Sequence, residues 1–213
     1  FALGTWHDSA PQSSSPLEPE LEENLGLLAD SALAHGLISE ADREWLREAI
    51  ALDGDAIGTV FRGDHDVTGL VAERNLLRYS PTSVIIRAGA NAMMRDIVRV
   101  LCAGLRLDCF TLSVDPKHRG ILEIINGDAT TDAEWLAGLG AQNSDLANQR
   151  LRLIGMSASD VCLATDGRPD LAVFDGPVVR AGRVELLPFY REQAISITAH
   201  RFGNPNQLVN SVV

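Results

Sequence analysis

The chain has 213 residues, 46% of them apolar, and a formal net charge of −11, which is material for one large or two small domains with a sizeable core. The acidity is concentrated between residues 18 and 55, where eleven carboxylates face only Arg43 and Arg47. Such a solvated acidic face repels phosphate backbones and anionic lipid, which disfavours sequence-independent nucleic-acid or membrane binding.

Residues 1–19 carry SAPQSSSP and one further proline, Pro19, and form no periodic apolar face, so they read as a linker from a preceding domain. Phe1 in place of Met agrees with a piece cut from a longer polypeptide. No basic region followed by an apolar run opens the chain, and no stretch approaches the roughly 20 apolar residues of a membrane helix. Over residues 20–62 a helical hairpin is predicted. Leu21, Leu25, Leu28 and Ala32 recur at helical spacing before Gly36. Ser39 with Asp42 resembles a capping box ahead of a second stripe, Ala41, Trp45, Ala49 and Leu52, which Gly54, Gly58 and Gly63 are expected to end.

Over residues 63–182 the pattern becomes α/β, predicting a Rossmann-like, mostly parallel sheet covered on both faces. Strands are expected at 84–87, 109–114, 121–125, 151–154 and 171–174, with helices at 91–106, after the Thr131/Glu134 capping box, and at 157–164. A small hairpin is expected to project around 177–182. Residues 183–213 form a terminal motif and tail. Leu186, Tyr190, Ala194 and Ile197 make an apolar stripe at spacings of three and four, predicting an amphipathic C-terminal helix over 185–201, stopped by Gly203 and Pro205.

Site chemistry is sparse. The junction after the first strand reads RAGANAMMRD, with Gly89 alone, which is a turn and not a phosphate cradle. Cys102, Cys109 and Cys162 have no paired spacing for zinc or a disulfide framework. Each lies among apolar neighbours, so burial as small hydrophobes in a reducing cytoplasm is expected. The five histidines show no metal spacing. Asp64, His65 and Asp66 read as turn residues, while Arg74, Leu76 and Arg78 would share one face of an edge strand. No residue is singled out as catalytic, cofactor-binding or metal-ligating. A regulatory α/β domain binding a nucleotide or small metabolite is the alternative reading, with its pocket at the carboxyl ends of the strands.

The stretch LLPFYREQAISITAHRFGNP, with Arg191, Glu192, Gln193, Ile195, Ser196, Thr198, His200, Arg201, Phe202 and Gly203, resembles the C-terminal motif of the long bacterial proline utilization A proteins and of related dehydrogenases with the same extension. Those proteins join an FAD-dependent proline dehydrogenase to an NAD-dependent L-glutamate γ-semialdehyde (pyrroline-5-carboxylate) dehydrogenase. A second patch, GLVAERNLLRYSP, is similar to the start of the domain that precedes the motif, so the likeness extends over about 63–205. The resemblance implies an aldehyde-dehydrogenase-superfamily domain without catalysis of its own, with NAD and FAD belonging to the parent protein. It implies that the motif packs on the catalytic dehydrogenase domain of the same polypeptide and helps close the cavity through which the semialdehyde passes. Tyr190, Arg191, Glu192, Gln193, Ser196, His200, Arg201 and Phe202, joined by Arg74 and Arg78, are the expected interdomain contacts. A fragment lacking that partner is expected to self-associate through the uncovered surface.

Overall fold

The structure is a computed structural model describing residues 18–66, 68–70, 73–141, 146–198, 200–201 and 204–205; the 1–19 linker thus lies almost wholly outside the described residues. Two helices open it, α1 (Glu18–Ala34) and α2 (Glu40–Ala56), and α2 runs on into a π-helical turn, Ile57–Phe61. Gly36 takes the left-handed conformation, φ 67°, that ends α1. Ser39 caps α2: its hydroxyl accepts from Asp42 N at 3.2 Å and the Asp42 carboxylate accepts from Ser39 N at 3.1 Å. The Ser39 hydroxyl also holds the Asp42 carboxyl below its ordinary value of 3.8. The cap therefore stabilises the fold above that value and loses its contribution as pH falls through the lowered pKa. Ser39→Ala is expected to cost about 1 kcal/mol, read from the urea midpoint at neutral pH, with a smaller difference from the parent in acid.

The α2 stripe is rotated from its predicted position. Leu46, Ala49, Ile50 and Asp53 are buried, whereas Ala41 and Leu52 are exposed and Trp45 lies under the Arg95 guanidinium, 4.6 Å from the ring centroid. Gly54 does not end the helix; a Cβ there would collide with the Glu22 carboxylate.

Strand β1 (Glu73–Pro81) stands apart from the main sheet, which is built from β2 (Val84–Ala88), β3 (Phe110–Val114), β4 (Asp128–Ala129), β5 (Arg150–Ile154) and β6 (Ala172–Phe174). Their order is β4-β3-β2-β5-β6, every pairing parallel. This is the order of a Rossmann-type sheet, with the chain leaving β2 to one side and returning on the other. The connections carry α3 (Met94–Leu107), α4 (Asp132–Ala141) and α5 (Ala158–Ala164). Thr131 and Glu134 form the second predicted capping box, with Thr131 N donating to Glu134 at 3.0 Å. The expected strand at 121–125 is instead part of a 3-10 helix, Pro116–Glu123: Asp115 caps it at Lys117 N, and Pro116 has the φ of a first helical residue.

Alternation along the strands divides the interior into two layers. Val84, Ile86 and Ala88 join α1, α2 and α3 in one core, while Leu151 and Leu153 pack with Leu139 and Val161 in the other, against which Ile85 is laid. The result is a mixed α/β architecture with a five-stranded parallel sheet. No described helix is long and apolar enough to cross a membrane.

The C-terminal region departs from the sequence reading. Residues 177–181 do not form a hairpin; they lead into a short helix, α6 (Gly182–Glu185), and a 3-10 turn, Leu187–Phe189. The predicted helix over 185–201 is mostly strand: β7 (Tyr190–Thr198), followed by the short pair β8 (His200–Arg201) and β9 (Asn204–Pro205). Ile195, Ile197 and Thr198 are β-branched and fit a pleated surface, and β1 supplies a nine-residue partner in antiparallel register from Glu73↔Thr198 to Pro81↔Tyr190.

Candidate functional site

Two places in this fold bear on function: the crevice at the carboxyl end of β2, where an α/β sheet of this order normally takes its ligand, and the β1–β7 ribbon. The crevice is closed from within. Gly89 N donates to Ile154 O at 2.9 Å and Ala90 N to Asp132 Oδ2 at 3.0 Å. Asp132 is held there by Arg87, fully buried on β2, whose Nη2 reaches Oδ1 at 2.6 Å. A carboxylate of the chain itself thus occupies the position in which the turn would face a phosphate. Met156 packs against Gly89, and a Cβ on Gly155, φ 68°, would collide with Ala92 N. An anion at this turn would meet the Asp132 carboxylate, and Met156 fills the space beside Gly89.

Burial pushes the Cys102 thiol up to about 12, against the opposing pull of Arg99, and also raises Cys109, the reverse of what a nucleophilic thiolate needs. Cys109 is half-buried and Cys162 exposed, contrary to the expectation that all three are buried; the Cys162 side of the seven-residue α5 faces outward together with Leu163. No group of three or more histidine, cysteine or carboxylate side chains suited to a metal ion occurs among the described residues.

The ribbon is built differently. Its base is fixed by three rings: Phe61, delivered by the π-helical turn, stacks on Tyr190 at 4.3 Å and meets Tyr79 edge-on at 5.0 Å. Burial pushes the Tyr190 phenol up to about 12, so it stays protonated across the physiological range. Arg150, at the start of β5, donates to Pro188 O at 2.7 Å and Leu187 O at 3.2 Å, tying the turn before β7 to the parallel sheet. Thr82 N closes the base on Phe189 O at 2.9 Å.

Beyond that base the residues named from the sequence separate by face and depth. Cross-strand partners place Arg74, Leu76, Arg78 and Ser80 on one face with Ile197, Ile195, Gln193 and Arg191, while Tyr79 and Asn75 share the other with Glu192 and Ser196. Arg191, Glu192, Gln193 and Ser196 are exposed, and so is Ala194. Tyr190 and Arg74 are buried, and Arg78 is half-buried, donating to Asp64 at 2.8 Å. Tyr190 thus belongs to this chain's own interior and positions the exposed residues that follow it. His200 and Arg201 are described only as the backbone of β8, and Phe202 lies outside the described residues.

Asp64, His65 and Asp66 support the same ribbon. His65 pairs with Leu77 through both backbone groups at 2.9 Å. Burial works against the Asp66 carboxylate, but the Gly69 and Thr68 amides outweigh it and hold the carboxyl below its usual range. Strand β7 is hydrogen-bonded along one side to β1, and no other described strand pairs with it. Sequence reading passed over Arg87, Arg99 and Arg152, which are buried. The available signal was a lone guanidinium inside apolar runs such as VIIRA and LRLI, since a charge there must be paired within the fold.

Fold and site together define a Rossmann-like α/β domain with a blocked ligand crevice and an exposed antiparallel ribbon. No family model matches the chain, and no curated protein matches it. Among solved structures the chain is similar to Proline Utilization A (PutA) from Corynebacterium freiburgense, at 31% identity over 78% of this chain and with a TM-score of 0.48. The chain spans 15% of the length of that protein.

Proposed function

We propose that this chain is a noncatalytic structural domain of a proline-catabolic enzyme. Its ribbon and terminal motif dock on an NAD-dependent semialdehyde dehydrogenase domain of the same polypeptide and help close the cavity between that domain and an FAD-dependent proline dehydrogenase. The observation that carries this reading is the location of the motif. Of the residues by which the chain resembles the long proline utilization A proteins, those from Arg191 to Thr198 fall on β7, a strand held at its base and exposed from Arg191 to Ala194. An exposed strand edge is a ready template for pairing with another segment, and Arg191 supplies a fork suited to a carboxylate. The blocked crevice argues in the same direction, since it weakens the competing nucleotide-binding reading.

The test is binding between this chain and the separately purified upstream dehydrogenase region. Saturable binding is expected for the intact chain and none for a chain ending at residue 182. A paired Arg191→Ala and Gln193→Ala variant should bind roughly thirtyfold or more weakly if both sit at the centre of the contact. Binding that survives removal of the ribbon, or that is absent while a dinucleotide binds, would overturn the proposal. Sedimentation of the chain alone reads self-association through the same ribbon, which the partner region should suppress.

A further inference from the structure

A second cavity, of about 550 Å³, lies away from the crevice and the outer part of the ribbon, between the start of α1, the end of α2, the end of α3 and the ribbon base. Leu21, Ile57 and Leu107 supply apolar wall, Tyr190 closes one side, and the charged Glu22, Asp55 and Arg62 also line it. The Arg106 side chain, only 4% exposed, also lines it. Both hydrogen bonds described for Arg106 leave from Nη2, to Ile50 O at 2.9 Å and to Glu22 Oε1 at 3.4 Å. Nε is buried and has no hydrogen-bond partner among the described residues. Nη1 lies at the Gly54 wall of the cavity, 3.8 Å from where a side chain on residue 54 would begin.

A guanidinium carries five N–H donors, and a buried Nε with no acceptor among the described residues leaves one of them unanswered at a cost. Glu22 answers weakly: its contact is long and its side chain is 42% exposed. We infer that this cavity is a binding site for a small monocarboxylate with a short apolar body, its carboxylate received by Arg106 and its hydrocarbon part lying against Leu21, Ile57 and Leu107. A carboxylate supplies the charge and the acceptors that the guanidinium lacks, and the apolar walls reward a body of several methylenes. Gly54 forms the wall beside Nη1 without side-chain bulk, and the Glu22 carboxylate takes the space that a Cβ there would need.

The probe is hexanoate, titrated into the 213-residue chain by calorimetry and followed by amide shifts, with hexan-1-ol as the uncharged control. Hexanoate is expected to bind saturably with shifts centred on residues 51–57 and 106–107, and hexanol about tenfold or more weakly, as loss of a charge-assisted contact implies. Arg106→Gln should weaken hexanoate by about the same factor and leave hexanol unchanged. Ala51→Trp, which fills the cavity from an exposed helix position and leaves Arg106 intact, should abolish both; it decides the matter if Arg106→Gln fails to fold. Equal binding of acid and alcohol, hexanoate binding unchanged in either variant, or no saturable binding up to about 10 mM would overturn the inference.

Discussion

Replacing Arg99 by methionine is expected to destabilise the fold by about 3–5 kcal/mol at neutral pH, the usual cost of orphaning one member of a buried ion pair. Arg99 and Asp53 are both fully buried, joined through two hydrogen bonds of 2.7 and 2.8 Å, and Arg99 Nε continues to Val179 O at 3.1 Å. The pair therefore joins α2, α3 and the segment leading into α6, and α6 in turn sets where β7 begins. Burial pushes the Asp53 carboxyl above its ordinary value of 3.8, opposed chiefly by Arg99. An acid raised in the fold stabilises it most below the unfolded pKa and loses that contribution as pH rises through the folded one. Without Arg99 the opposition weakens and the carboxyl rises further, so the variant should lose more against the parent at pH 8 than at pH 4.5. Urea titrations at the two pH values read this, with the slope unchanged if the transition remains two-state. The double variant Asp53→Leu, Arg99→Met should recover much of the loss, because well-packed apolar groups replace such pairs without an orphaned charge. A single-variant cost below about 1 kcal/mol, as for an exposed pair, would show that water reaches the site.

The α/β scaffold was legible because its period was written plainly: VIIRA and the stripe through Val98, Leu101 and Cys102 could not exchange roles without exposing apolar surface. Both capping boxes were legible for the same local reason. What failed were short apolar segments whose conformation is decided by distant partners. Ile121 is buried in either conformation, and the cap from Asp115 with the φ of Pro116 settles it as 3-10 helix. The terminal motif fits a helical stripe through Leu186, Tyr190, Ala194 and Ile197 and equally an alternation through Arg191, Gln193, Ile195 and Ile197. The nine-residue ladder to β1 decides between them, and nothing local to the motif announces it. The candidate site shows the same division. Its residue types were visible, but burial depends on what packs over each face: Tyr190, placed on a helical stripe, lies against Phe61, and Arg74, read on a strand face, is buried all the same. The Arg106 cavity was not visible at all, since it is assembled from three helices and the ribbon base.

Phe61→Ala is expected to cost about 3–5 kcal/mol, the range for a buried phenylalanine reduced to alanine, and to release the ribbon before the rest of the fold. Phe61 is 3% exposed and touches both strands of the ribbon, stacking on Tyr190 within 5° of parallel and meeting Tyr79 at 78°. A two-stranded ribbon is marginal by itself, so most of what holds β1 and β7 in place must come from this base and from the Arg150 ties. Amide exchange resolves the two effects. Protection along 190–198 should fall by a larger factor than that of β2 and β5, whose ladder lies in the parallel sheet. Phe61→Leu keeps most of the volume and should cost less than about 1.5 kcal/mol, yet it removes the ring stacking, so it should loosen β7 modestly with little global change. If the exposed face of β7 is the docking surface, Phe61→Ala should weaken capture of the dehydrogenase region even under conditions in which the variant remains folded. That loss would come from disordering residues such as Arg191 and Gln193, which must then be ordered again on binding. A uniform fall in protection across both sheets would instead make Phe61 an ordinary core residue with no particular hold on the ribbon.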